Sequence, residues 1–205
     1  MKGEKAMPNK LLGLTAIALM TAACGQTGSL QNPSAPSTLS QPANIAGNSA
    51  SIGTLAAHET GTFLYRVGLA GNRATAENGD VVTVTVTRDG TNTFDVGAKS
   101  ASGGGTFVHK TSGGTVVGSG TWAATGLLDF QSYGNGPSAF GGRAALTVSL
   151  TPSANPSVHR PGILEIECLF GEPPAGAFEG IRLNVKDVIN FNKTVPGGIP
   201  PFIKQ

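Results

Sequence analysis

Cysteine is nearly absent from this chain: Cys24 and Cys168 are the two in 205 residues. An exported protein stabilised by disulfides normally shows an even set beyond any modified cysteine, so a disulfide framework is excluded. Histidine is as scarce, and His58, His109 and His159 fall at no spacing that suits zinc. No window repeats its apolar residues every 3.6 positions, and 30 glycines among many threonines penalise helices, which excludes a helical bundle. No apolar run reaches the roughly 20 residues that span a bilayer as a helix. The three glycines Gly103 to Gly105 lack the Gly-Lys-Ser/Thr sequel of a phosphate loop. Asp-rich calcium loops are missing as well. No cofactor is therefore expected.

Basic residues are concentrated at the front. Lys2, Lys5 and Lys10 precede the apolar run Leu11 to Met20, which ends in Thr21, Ala22 and Ala23, the layout of a secretory signal. Removing residues 1–23 takes those three lysines and Glu4 from totals of 14 basic and 12 acidic side chains, and the remainder is balanced. Without a basic stripe to neutralise phosphates, nucleic acid is excluded as a partner.

The segment Thr21-Ala22-Ala23-Cys24-Gly25 resembles the lipobox of bacterial lipoproteins, with Thr21 standing where an aliphatic residue is usual. The resemblance covers this signal alone. It implies that Cys24 becomes the first residue after cleavage and carries the lipid. It also implies that Gly25, rather than Asp, directs the protein to the outer membrane of a double-membraned cell. Ordinary cleavage near Ala22 or Ala23 would instead give a soluble secreted or periplasmic protein.

Residues 24–60 are almost all Ser, Thr, Gln, Asn, Pro, Gly and Ala, with no aromatic side chain, a composition that predicts a disordered tether. About 36 such residues reach roughly 30 to 35 Å, enough to hold a domain clear of a membrane. Every Phe, Tyr and Trp lies from Phe63 onward, and residues 61–205 read as a single domain.

There the apolar residues alternate, the mark of half-buried strands. Phe63, Tyr65, Val67 and Leu69 share one face, and Val82, Val84 and Val86 alternate with threonines. Thr106 to Thr111 and Val116 to Thr125 form a hairpin across Gly113-Gly114, with Trp122 on the glycine face of Gly118 and Gly120. Leu128 and Phe130 face inward, with Asp129, Gln131 and Tyr133 opposite. Strand-like segments 143–151, 163–170 and 181–191 follow, and a short piece at 199–203 closes the chain. The expected fold is all-β: an antiparallel β-sandwich or partly open β-barrel of about 8 to 10 strands.

Glu165 and Glu167 lie two apart on a strand whose other face is Leu164, Ile166, Cys168 and Phe170, so both carboxylates should point outward about 6.5 to 7 Å apart. That separation overlaps the inverting-glycosidase range, although catalytic pairs generally face each other across a cleft. Cys168 belongs to the core. His109 shares a face with Phe107, so its imidazole should be at least partly buried as a satisfied core or rim histidine, with a place in a ligand cavity as the alternative. Ser119 and Ser138 each miss one glycine of the nucleophile elbow.

The candidate ligand-binding residues are thus His109, Tyr65, Trp122, Tyr133, Glu165 and Glu167, with Cys24 as the lipid attachment site and no catalytic or metal-ligating set. The expected function is a non-catalytic cell-envelope lipoprotein whose β-domain binds an envelope protein, glycan or small molecule, or serves the envelope structurally. The alternative is a small-molecule-binding or catalytic barrel with its cavity at His109, Tyr65 or Trp122; a filled core would favour the first.

Overall fold

The computed structural model describes residues 59–68, 70–136 and 138–205. The signal, Cys24, His58 and nearly all of the tether lie outside the described residues. Among the described residues there is no helix, and thirteen strands form one antiparallel sheet that does not close into a barrel.

The strands are β1 (Thr62–Tyr65), β2 (Asn72–Thr75), β3 (Val81–Val84), β4 (Thr93–Asp95), β5 (Ser100–Ala101), β6 (Gly104–Lys110) and β7 (Val116–Asn135), followed by β8 (Phe140–Pro152), β9 (Arg160–Cys168), β10 (Gly180–Val185), β11 (Ile189–Phe191), β12 (Lys193–Val195) and β13 (Phe202–Lys204). Their order is β12-β2-β3-β6-β7-β8-β13-β1-β4-β5, with β9, β10 and β11 branching from β8. The count exceeds expectation because β2, β5 and β12 are short and polar, and because the 181–191 segment turns at Asp187 into the β10–β11 hairpin.

Alternation determines the core. Phe63, Tyr65, Val82, Val84, Leu146, Leu164, Ile166 and Cys168 are all at most 1 % exposed. β7 and β8 pair along almost their whole length and give the sheet its spine. In the second half of β7, Phe130 meets Phe63 and Phe94 at 4.9 Å and Phe202 at 5.4 Å between ring centroids. Each such aromatic pair contributes about 0.5–1.5 kcal/mol beyond its buried area.

The expected phase fails inside β7. Its pairing with β8 slips between Ala124 and Gly126, between Leu127 and Asp129, and between Ser132 and Gly134. Each bulge inserts an extra residue and reverses the inward face. Leu127 is therefore the buried leucine and Leu128 is 48 % exposed, whereas Tyr133 keeps the face expected for it, opposite Phe130, and is buried there.

Candidate functional site

β6 carries Phe107 and His109 inward, and across the hairpin their partners are Gly120 and Gly118. A Cβ on Gly120 would lie 2.9 Å from the Phe107 ring, so that space is filled. A Cβ on Gly118 would meet only the Cβ of His109, at 3.9 Å. The missing side chain at Gly118 thus opens an apolar recess of about 210 Å³ beside the imidazole. Val82, Phe107, Leu150, Leu183 and Phe191 wall it, and Arg160 and the half-exposed Val117 and Val188 stand at its rim.

His109 is held from two sides. Its ring meets Phe191 edge-on at 5.1 Å, and Nε2 donates to Oδ2 of Asp80 at 2.9 Å. The hydrogen bond from His109 holds the Asp80 carboxyl below its ordinary range, with further donation from Asn78 and the Ser112 backbone. An ionised carboxylate only accepts, so Nε2 carries the hydrogen and Nδ1 is left without a protein partner among the described residues. Asp80 was not legible in the sequence. It sits in the Asn78-Gly79-Asp80 turn before β3, 29 positions from His109, and ordinary turn chemistry accounts for its residue type.

The other expected ligand residues do not converge here. Tyr65 is fully buried, donates to the Ser102 carbonyl at 2.8 Å, and borders a separate polar hollow with Asn92, Arg66 and Arg88. Trp122 is buried and donates to the Thr85 carbonyl at 2.9 Å. The gap left between Trp122, Val84, Phe107 and Leu183 is too small to admit water. The core is therefore filled, and the recess at His109 opens at the surface.

Glu165 and Glu167 depart from the expected open acidic face. Glu165 is half-buried with Arg182 at 3.8 Å, whereas Glu167 is 2 % exposed and accepts a hydrogen bond from the Tyr133 hydroxyl. The cause is tertiary. Alternation from Phe130 sets Tyr133 on this face, and segment 169–179 folds over it, with the Glu172 N–H donating to the Tyr133 carbonyl at 2.7 Å. Glu179 lies in this layer, accepting from the Leu169 N–H at 2.9 Å; burial pushes its carboxyl upward, and the Glu167 charge adds to the rise. Arg182 stacks on Phe178, 3.5 Å from the ring centroid. One carboxylate covered by a phenol and another paired with a guanidinium do not flank a cleft.

Nucleophiles are placed away from the histidine. Ser119 pairs with Val108 and so occupies the face opposite His109, Ser138 is exposed in the β7–β8 turn, and Cys168 is fully buried on β9. Burial pushes the Cys168 thiol up to about 11. Compared with protein-family models, curated proteins and solved structures, the chain matches none.

Proposed function

We propose that this chain is a cell-envelope lipoprotein, exported on residues 1–23 and anchored by lipid on Cys24. A polar tether then presents a β-domain that works by binding rather than by covalent catalysis. The order of charge, apolar run, small residues, cysteine and polar spacer supports the anchor. Several acyl chains at about 0.8 kcal/mol per buried CH₂ would make it effectively permanent.

The observation that carries the binding role is the recess beside His109, where an apolar wall meets a few convergent polar groups, the usual composition of a ligand site. Its one lining hydroxyl, Ser119, belongs to the other face of the hairpin. The membrane is the partner of the N-terminus, and a small molecule is the partner of the domain. Intact-mass analysis of the membrane fraction tests the anchor. The wild type should carry acyl mass at Cys24, and Cys24→Ser should move to the soluble fraction. A membrane-bound wild type without acyl mass would refute the lipoprotein reading.

A further inference from the structure

We propose that the recess beside His109 takes a compact apolar molecule bearing one carboxylate, its hydrocarbon against Phe107, Leu183 and Phe191 and its acid group between the His109 ring and Arg160. This rests on the reading of the β-domain as a binding module and names the class of its ligand.

Size limits the apolar part. A cavity of about 150 Å³ lined by Leu, Ile and Phe holds benzene. The recess, at about 210 Å³, holds one ring with a short arm, and a long acyl chain would not fit inside. The walls supply no polar side chain that could orient a neutral polar ligand deep in the recess, so orientation has to come from the rim.

Charge determines the polar part. Asp80 is already engaged by His109 and Asn78 and offers little to a ligand. What remains is the Nδ1 edge of His109 and the guanidinium of Arg160, which has no carboxylate within 4.0 Å among the described residues. The charged groups at the recess are Asp80, which holds the imidazole from the turn before β3, and Arg160, which lines the recess from β9; β7, β10 and β11 present Gly118, Leu183, Val185, Ile189 and Phe191. With one proton on Nε2, Nδ1 is an acceptor and repels a carboxylate. With a second proton it becomes a charged donor, compensated from behind by Asp80. A carboxylate ligand therefore brings a proton with it, and because binding takes up that proton it weakens as pH rises.

The test is calorimetry on the full-length mature protein in detergent, with 3-phenylpropionate and 3-phenylpropanamide as probes at about pH 6 and about pH 8.5. At the lower pH the acid should bind about tenfold more tightly than the amide, with proton uptake visible as a buffer-dependent heat, and the preference should shrink at the higher pH. Arg160→Gln, at an exposed position, should reduce the preference and leave amide binding in place. Gly118→Val, whose Cβ would meet no backbone atom within 4 Å, should fill the recess and abolish binding of both probes with an unchanged melting curve. Equal affinity for acid and amide overturns the carboxylate preference and leaves the binding module standing. Binding that survives Gly118→Val overturns the assignment to this recess. If neither probe binds the wild type, the ligand class falls and the binding role loses its support, while the Cys24 anchor stands on its own test.

Discussion

Raising the pH probes the core without any substitution, because the chain has two tyrosines and both are buried, Tyr65 at 0 % and Tyr133 at 7 % exposure. Burial pushes both phenols above the ordinary value of 10.0, and at Tyr133 the Glu167 carboxylate adds to the rise. The folded protein therefore holds these protons more tightly than the unfolded chain. Below about pH 10 their contribution to stability is intact; above it the unfolded chain gains by ionising, and stability falls until the folded phenols ionise too. For Tyr65 alone the loss is about 1.4 kcal/mol per pH unit, or about 2 kcal/mol near pH 11.5, and Tyr133 acts with the same sign. That is a large part of a total of about 5–15 kcal/mol. Phenolate absorbance followed together with near-ultraviolet circular dichroism should show no ionisation near pH 10 in the folded protein, then a joint change as the domain unfolds. Denatured protein should titrate both tyrosines near pH 10. If one tyrosine's worth of phenolate appeared near pH 10 with native dichroism intact, the burial argument would be refuted, and Tyr65→Phe and Tyr133→Phe would show which ring failed it.

Tyr133→Phe should also destabilise the domain at neutral pH by about 2 kcal/mol in urea unfolding, because it leaves the Glu167 carboxylate buried without its phenol donor; a loss below the error of the measurement would mean that water replaces the phenol. Cys168 should react slowly with a thiol reagent in the native state and quickly in denaturant, and Cys168→Ala should cost about 1–2 kcal/mol. Rapid native labelling would contradict its burial. Gly141→Ala would place a Cβ 1.7 Å from the Phe170 carbonyl oxygen and should cost about 3 kcal/mol in thermal or urea unfolding. A wild-type melting curve for that variant would show that segment 169–179 is not seated against β8.

The candidate site was legible only in part. Alternation with Phe107 placed His109 on an inward face, and the glycine at 118 marked a position without a side chain. Trp122 shares the face of Gly118 and Gly120 but covers neither: Phe107 covers Gly120, and the space over Gly118 stays open. Tyr65 and Trp122 could not be separated from His109 by periodicity, because all three are inward residues of nearby strands. Only their positions along the sheet assign them to a polar hollow, a filled core and an apolar recess respectively.

The local pattern by itself determined that the domain is all-β, that β6 and β7 form a hairpin, and that Cys168, Leu164 and Ile166 point into the core, because a strand's period of two is a property of its own backbone. It could not determine which residues escape that period. The three bulges of β7 belong to its pairing with β8, and the first two exchange Leu127 for Leu128. Glu167 is buried because segment 169–179 lies over an outward face, and His109 acquires Asp80 because β3 pairs with β6. Both are consequences of contacts between residues distant in the chain, where desolvation and hydrogen bonding depend on what covers a side chain rather than on its sequence neighbours.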